Sequence, residues 1–419
     1  MIYTFPDPAA GFDPVGVPYI APNGVIYGAT FVGGEVACVP KFTNGCGTVF
    51  SLTPPISPGA DWTKAVLYAF HGTPADGISP TAGVMPGANG TLLGTTGMGG
   101  PQSQFPLCDF GCGTFFQLAP SAPGKPWTEQ ILYCFTRMDA NPGALLAGGN
   151  DVFYGPSFVG GNDACTIGCG TIYELLPPGA AGDAWSLTSI HQFVPNTGQN
   201  PLGSLAQDSN GVIYGTTLTG GELPVCRGCG TAFSLTPPVP PSTAWTFHLL
   251  YRFRGGTDGD GPYSGLILGL DGTLYGTTIY GGVACSIRSS GCGTVFSLTP
   301  PTSAGQPWTK TTLYSFVGGS DGGLPQSGVT IGPGGVLLRA AQACANDDCG
   351  VLYQLTPPSA PGGSWTESIL HAFAGGADGQ APNSPPAVDL SGVLYGFALG
   401  GAGTSCLGGG CGVAYQYTP

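Results

Sequence analysis

The chain has 419 residues, a formal net charge of −13 and only 8% charged residues beside 42% hydrophobic ones. Its 10 Lys and Arg residues are scattered, so no cationic surface is expected for nucleic-acid phosphates or anionic lipid. No stretch of about 18 consecutive apolar residues occurs, which argues against direct membrane insertion. The 75 Gly and 41 Pro residues predict many short strands joined by turns.

The chain consists of seven copies of one unit. Aligning it on a cysteine followed by glycine places seven cysteines in register, at spacings of 57 to 66 residues. These are Cys46, Cys112, Cys169, Cys229, Cys292, Cys349 and Cys411. A repeat of this period indicates a solenoid or a propeller.

Each copy begins with two predicted strands joined by a tight turn. The first strand is short and apolar, as in "SGLILGL" from Ser264, and the second follows at once, as in "VIYGTT" from Val212. Asn-Gly or Asp-Gly stands between them and predicts a type I′ turn, in which both central residues have positive φ. The pairs are Asn23-Gly24, Asn89-Gly90, Asn210-Gly211 and Asp271-Gly272.

Two more predicted strands follow a loop that carries a cysteine pair. In "GTVFSLTP", the two-residue period predicts that Thr294, Phe296 and Leu298 share one face. A Pro-rich connection leads to the fourth strand, "WTKTTLYSF", where we expect Trp308, Tyr314 and Phe316 to share a face. Each complete fourth strand starts with one of the six tryptophans.

The last copy ends after its third strand, and the N-terminal "MIYTF" matches the end of a fourth strand. The sequence therefore predicts one all-β domain, 1–419, a seven-bladed propeller whose last blade is completed by the N-terminal strand. Each blade has four antiparallel strands. The predicted blades cover about 14–70, 82–135, 144–193, 203–253, 265–316, 328–373, and 387–419 with 1–5.

The recurrent pattern "LYGTT…GG…GTVFSLTPP…W…LYSF.GG.DG" resembles the GloVer tandem repeat of exported bacterial proteins. This resemblance covers essentially the whole chain. It implies export and supports the propeller, and it implies no particular activity, because members of that group lack an established one. Members usually carry C-terminal anchors, whereas we expect none after Pro419 and no export signal at Met1.

Fourteen of the 15 cysteines occur two per copy in the loop between the second and third strands. Their spacing varies while the pairing is kept, which favours one local disulfide per blade over a metal site or a redox dithiol. The pairs are Cys38/Cys46, Cys108/Cys112, Cys165/Cys169, Cys226/Cys229, Cys285/Cys292, Cys344/Cys349 and Cys406/Cys411. Cys134 remains as a predicted free thiol, with an intermolecular disulfide as the alternative.

Gly-rich loops after the fourth strand carry an aspartate in several copies and are expected at the same end of the blades as the disulfides. Asp76, Asp258, Asp321 and Asp378 are candidates for a binding face, and turn chemistry is the alternative. Asp258 and Asp260 are weak calcium candidates, and otherwise no metal is expected. Arg339 stands where the other copies mostly have Gly, which adds it to the candidate binding residues.

No catalytic residue and no cofactor are predicted. His191 and His371 occupy a tyrosine position of the fourth strand and are interpreted as packing residues. The leading hypothesis is a non-enzymatic binding or structural module, secreted, periplasmic or on the cell surface. Its expected partners are glycans, matrix or further copies of itself. The alternatives are a subunit of an extracellular filament or surface assembly, and a propeller lyase or glycan hydrolase with its site in the central funnel.

Overall fold

The protein is presented as a computed structural model. It describes residues 1–34, 38, 44–57, 59–72, 76–101, 108–122, 125, 127–180, 182–221, 226, 228–285, 289–303, 305–342, 350–360, 362–401, 406 and 410–419. The predicted pair Cys344/Cys349 lies outside these residues.

The fold is the predicted all-β, seven-bladed propeller with four antiparallel strand positions per blade. The described residues contain 3-10 turns and no α-helix. The 3-10 turns are Pro8–Ala10, Ala88–Gly90, Gly256–Asp258, Pro333–Gly335 and Gly376–Asp378. The abundance of Gly and Pro accounts for this, because both residues destabilise helix interiors.

The strands follow the order of the repeat, and each blade forms one sheet. β1 is Tyr3–Thr4. The first blade has β2 (Phe12–Ile20), β3 (Ile26–Val32), β4 (Thr48–Thr53) and β5 (Thr63–Ala69). The second has β6 (Gly77–Pro80), β7 (Met85–Pro86), β8 (Leu92–Gly99), β9 (Thr114–Ala119) and β10 (Thr128–Cys134). The third has β11 (Leu146–Gly149), β12 (Val152–Ser157), β13 (Thr171–Leu176) and β14 (Ser186–Gln192).

The remaining four blades repeat this order. The fourth has β15 (Ala206–Gln207), β16 (Ile213–Thr217), β17 (Thr231–Thr236) and β18 (Thr246–Arg252). The fifth has β19 (Ile267–Leu268), β20 (Leu274–Thr278), β21 (Thr294–Thr299) and β22 (Thr309–Ser315). The sixth has β23 (Thr330–Ile331), β24 (Leu337–Ala341), β25 (Gly350–Thr356) and β26 (Thr366–Phe373). The seventh has β27 (Gln380–Pro382), β28 (Ala387–Val388), β29 (Leu394–Gly400) and β30 (Val413–Tyr417).

The residues group into two compact units. One comprises Met1–Ala144, Asp348–Gly350 and Ala372–Pro419, and contains the first, second and seventh blades. The other comprises Leu145–Asp347 and Val351–His371, and contains the third to sixth blades except for the end residues of β25 and β26.

The N-terminal strand completes the seventh blade, as the sequence predicts. Tyr3 and Thr4 of β1 pair antiparallel with Ala414 and Val413 of β30. The Phe5 amide donates to the Gly412 carbonyl at 3.1 Å, and the Phe5 ring is fully buried against Phe50 of the first blade. The first five residues therefore give the last sheet its fourth strand.

The predicted type I′ turns are wrong at most of the hairpins. Only Asn89-Gly90 has positive φ at both positions, 55° and 77°. At Asn23-Gly24 only the glycine has positive φ. The Ala21 amide donates to the Val25 carbonyl, and the Gly24 amide donates to the Ala21 carbonyl. This bonding describes a three-residue loop, a type I turn followed by a left-handed glycine. Gly211 and Gly272 repeat it.

A β-bulge in the fourth strand of the fifth blade contradicts the prediction that Trp308, Tyr314 and Phe316 share one face. Phe296 pairs with Thr312 but the adjacent Val295 pairs with Tyr314, so one residue is inserted between them. Because side chains alternate along a strand, the insertion turns Tyr314 to the face opposite that of Trp308. Trp308, Tyr314 and Phe316 thus do not share one face. The same register shift occurs in β5, β10, β14 and β18.

Candidate functional site

The loops between the second and third strands carry disulfides, and the second cysteine of each described pair is buried. We name this end of the blades, with these loops and the Gly-rich loops after the fourth strands, the disulfide end. The observed bonds are Cys38–Cys46, Cys108–Cys112, Cys165–Cys169, Cys226–Cys229, Cys285–Cys292 and Cys406–Cys411. Cys134 is a free, half-buried thiol at the end of β10. Burial raises its pKa, which lowers its reactivity.

Asp76 is turned inward rather than towards solvent. Its side chain is 4% exposed, and its carboxylate accepts the amides of His71 at 2.6 Å and Gly77 at 2.6 Å. The Tyr68 hydroxyl donates to the same carboxylate at 3.2 Å. The structure therefore places this candidate binding residue in a capping role typical of aspartate in turns.

The other predicted aspartates occupy the same position in their copies. Asp258 accepts the Tyr251 hydroxyl at 2.8 Å and the Arg254 amide at 2.9 Å. Asp321, 6% exposed, accepts the Tyr314 hydroxyl at 3.1 Å and the Val317 amide at 2.8 Å. Asp378 accepts the Ala374 amide at 2.8 Å. These loops lie near the disulfides, as expected. In the loop of Asp258, for example, a Cβ built on Gly255 would come 3.1 Å from the Cys229 Sγ.

A lysine already neutralises the weak calcium candidate Asp258. The Lys310 Nζ lies 3.3 Å from the Asp258 carboxylate and donates to the Asp258 backbone carbonyl at 2.6 Å. Burial raises the pKa of Asp260, whose carboxylate lies within 4.8 Å of the Cys226 and Cys229 sulfurs. Those sulfurs form a disulfide, so they offer no thiolate to a metal ion.

Two other blade junctions hold a glutamate at the position of Lys310. Glu129 lies beside Asp76, and burial, reinforced by the Asp76 carboxylate, raises the pKa of Glu129 to about 8. In the second unit the Tyr314 hydroxyl contacts both Asp321 and Glu367, each at 3.1 Å. Burial likewise raises the pKa of Glu367. These acidic pairs are polar contacts between neighbouring blades.

Arg339 is fully buried in the sixth blade, with a relative exposure of 0%. It pairs across the strands with Tyr353. The candidate residues proposed from sequence therefore do not form one exposed surface: Asp76, Asp321 and Arg339 are all buried. His191 is confirmed as a packing residue, because it stacks on Phe247 at 4.2 Å and burial lowers its pKa to about 4.

Sequence reasoning missed a recurrent junction between consecutive copies. The carbonyl of the second cysteine accepts an amide from the residue before a proline in the next copy, as between Cys46 and Ser79 at 2.8 Å. The glycine after the cysteine has no room for a side chain, because a Cβ on Gly47 would come 2.6 Å from the Pro80 ring. The available signal was a proline 30 to 34 residues after each such cysteine: Pro80, Pro142, Pro201, Pro262 and Pro325.

Aromatic pairs at the opposite end of the blades were also missed. We name this the turn end, with the hairpin turns between the first and second strands and the Pro-rich loops before the fourth strands. Here the tryptophan of one blade contacts a tyrosine in the second strand of the preceding blade, with ring centroids 5.5 to 6.3 Å apart. The pairs are Trp62–Tyr395, Trp127–Tyr27, Trp245–Tyr154, Trp308–Tyr214 and Trp365–Tyr275.

The sequence of residues 108–338 matches the profile of the Gloeobacter/Verrucomicrobia repeat, over more than half of the chain. The chain belongs to this family. The resemblance of the repeated motif is thereby confirmed. No curated protein matches this Gloeobacter/Verrucomicrobia repeat protein in sequence.

Several solved structures share the fold at low sequence identity. A fungal alcohol oxidase of the AA5 family, in complex with copper, is 12% identical, with a TM-score of 0.54 over 100% of this chain and 75% of that one. A PL25 ulvan lyase is 12% identical, with a TM-score of 0.51 over 94% and 90% of the two chains. The polysaccharide lyase Uly1 is 10% identical, with a TM-score of 0.51 over 98% and 90%.

These neighbours correct the expectation that the protein is not an enzyme. Two polysaccharide lyases and an oxidase share its architecture, so the fold gives no ground for excluding catalysis. At this level of identity the likeness shows the fold alone. Among the described residues, no helix is long and apolar enough to cross a membrane.

Proposed function

We propose that this repeat protein is exported and binds polysaccharide at its turn end, through the tryptophan–tyrosine pairs between blades. The observation that carries the proposal is the recurrence of these pairs. All five tryptophans in them are partly exposed, and four of the five tyrosines are as well. Partly exposed aromatic rings offer a flat apolar surface at low conformational cost, and the apolar face of a sugar ring packs on such a surface.

The pair of Trp308 and Tyr214 shows the chemistry available. Their ring centroids are 6.1 Å apart in an edge-to-face arrangement. The Tyr214 hydroxyl donates to the Asp208 carboxylate at 3.2 Å, and burial together with this carboxylate raises the Tyr214 pKa to about 12. Tyr214 therefore stays neutral at physiological pH, and the remaining lone pairs of Asp208 are available to sugar hydroxyls.

The disulfides and the composition support an extracellular location for this activity. Six described disulfides favour an oxidising compartment. The low charge content suits contact with uncharged polar chains. Two of the propellers similar in fold are polysaccharide lyases, one of them bound to a glucuronate–sulfated rhamnose unit, so the architecture can hold a polysaccharide.

The test is retention by a panel of neutral and acidic polysaccharides in affinity electrophoresis, with depolymerisation measured on the same samples. We expect Trp308→Ala to weaken binding about two- to tenfold, because one aromatic stacking contact contributes about 0.5–1.5 kcal/mol. Replacing Trp308 and Trp365 together, which belong to the same compact unit, should weaken it far more, since the two sites act along one polymer.

Trp185→Ala is the matched control. Trp185 begins the fourth strand of its blade like the others, but its ring contacts Phe153 of its own blade at 6.0 Å. This variant loses the same apolar area without disturbing a tryptophan–tyrosine pair, and it should bind like the unmodified protein. Circular dichroism checks that each variant is folded. Equal binding by the double variant and the control, or no binding to any polysaccharide, would contradict the proposal.

A further inference from the structure

One position in the second strand separates the sixth blade from the other six. In those blades a glycine faces an aromatic residue of the third strand, and a Cβ on the glycine would come closer than 3.0 Å to the tip of that ring. The pairs are Gly28/Phe50, Gly94/Phe116, Gly155/Tyr173, Gly215/Phe233, Gly276/Phe296 and Gly396/Tyr415. The sixth blade has Arg339 and Tyr353 in these two positions.

The Arg339 side chain is enclosed by protein without being neutralised. Its exposure is 0%, and its Nε donates to the Ala340 carbonyl at 3.2 Å. Neither terminal nitrogen, Nη1 or Nη2, makes a hydrogen bond of ordinary geometry to any described residue, and the same holds for the Tyr353 hydroxyl. Burial lowers the pKa of Arg339 to about 10, so it remains charged at neutral pH, supported by the nearby Tyr353 hydroxyl.

The acidic side chains of this junction use one oxygen each in hydrogen bonds, while Asp321 Oδ1 and Glu367 Oε1 are buried without a hydrogen bond to a described residue. Asp321 and Glu367 both contact the Tyr314 hydroxyl at 3.1 Å, and the carboxylate of Asp321 also accepts the Val317 amide. No ion pair joins Arg339 to a described carboxylate. A buried guanidinium without a counter-charge costs several kcal/mol, so a group that supplied negative charge there would be bound strongly.

We propose that Arg339 and Tyr353 form a binding site for one small oxyanion, of the carboxylate, sulfate or phosphate class. A guanidinium presents parallel N–H donors that match two oxygens of such a group, and the Tyr353 hydroxyl supplies a third donor. This site lies within the sixth blade, apart from the aromatic pairs of the turn end. It does not depend on polysaccharide binding, and either proposal can fail without the other.

Three variants separate the contributions to this site. Arg339→Gly restores the residue of the six other blades, and Tyr353→Phe restores the residue found at Phe50, Phe116, Phe233 and Phe296, so both are expected to fold. Arg339→Met keeps a long side chain and removes only the charge and the donors. It therefore distinguishes loss of binding from loss of packing.

Equilibrium dialysis with radiolabelled sulfate or phosphate, at constant ionic strength in chloride, measures the site directly. We expect one anion bound per unmodified chain, none per Arg339→Gly or Arg339→Met chain, and weaker binding to Tyr353→Phe. Urea unfolding should show that added oxyanion stabilises the unmodified protein more than the two Arg339 variants. General salt stabilisation acts on all variants equally and cancels in this difference.

Two results would overturn the proposal. Equal binding by the unmodified protein and Arg339→Met would place the anion elsewhere on the chain. The second result is no binding of sulfate or phosphate to the unmodified protein at an anion concentration of about 10 mM. A site with a Kd of about 0.1 mM would be almost fully occupied at that concentration, so this result would mean that the charge of Arg339 is compensated within the protein. Acetate and glucuronate, tested as competitors of the labelled anion, then decide whether carboxylates enter the site.

Discussion

Single substitutions between otherwise similar copies decide the electrostatics of the blade junctions. At the second residue of the fourth strand, Lys310 forms an ion pair with Asp258, whereas Glu129 places a second carboxyl group beside Asp76. The surrounding pattern is the same, with a tyrosine hydroxyl donating to the aspartate in each case. One residue therefore determines whether a junction is neutralised by a lysine or by a proton.

Glu129 makes stability depend on pH. In the unfolded chain it loses its proton near its ordinary pKa of 4.5, but in the folded protein only near 8. The free energy of unfolding should therefore fall as pH rises from about 4.5 to about 8, and level off above this range. We expect Glu129→Gln to remove this part of the slope, measured by urea unfolding at pH 5, 7 and 9.

Gln130→Glu is the control for this prediction. It adds a carboxylate at an exposed position one residue further along the same strand. An exposed carboxylate titrates similarly in the folded and unfolded states, so the slope should match that of the unmodified protein. An unchanged slope in Glu129→Gln would show that Glu129 is ionised in the folded protein at neutral pH.

The fourth strands of the first five blades have two directions of contact because each contains a bulge. Before the bulge, Trp308 and Lys310 contact the preceding blade through Tyr214 and Asp258. After it, Tyr314 contacts Asp321 in the loop that leads to the next blade, and Phe316 contacts Tyr353 of that blade. The inserted residue thus lets one strand hold the blades on both of its sides.

At the element scale, the N-terminal strand should be essential for stability. Phe5 is fully buried, so we expect Phe5→Ala to destabilise the protein by about 3–5 kcal/mol, and deletion of residues 1–5 by more, because the pairing of β1 with β30 is also lost. Urea unfolding measures both changes. Met1→Ala, at a residue 45% exposed, should change stability by about 0.5 kcal/mol or less. A deletion variant as stable as the unmodified protein would contradict the role of β1.

At the scale of the whole molecule, stability is assembled from one set of contacts repeated at successive junctions. Disulfides close short loops. The carbonyl of the buried second cysteine also accepts the amide of the residue before a proline in the next copy. Each such loop closure contributes about 1–3 kcal/mol by restricting the unfolded chain. Seven pairs would together make the fold strongly dependent on an oxidising environment.

Alkylation without reductant tests the pairing over the entire chain. We expect the intact mass to increase by one modified thiol, Cys134, because the fourteen other cysteines are predicted to be paired. Denaturation with reductant before alkylation should modify all 15. Three or more modified thiols in the denatured, unreduced protein would show that at least one pair is open.

The repeat, the order of strands, six of the seven cysteine pairs and the completion of the last blade by "MIYTF" could be predicted from the sequence, because each follows from a local pattern shared by the copies. Only the tertiary structure decided where side chains point. A one-residue bulge separates Trp308 from Tyr314, and the turn aspartates accept amides instead of facing solvent. The aromatic pairs and the burial of Arg339 also required the fold, because they depend on packing between strands far apart in sequence.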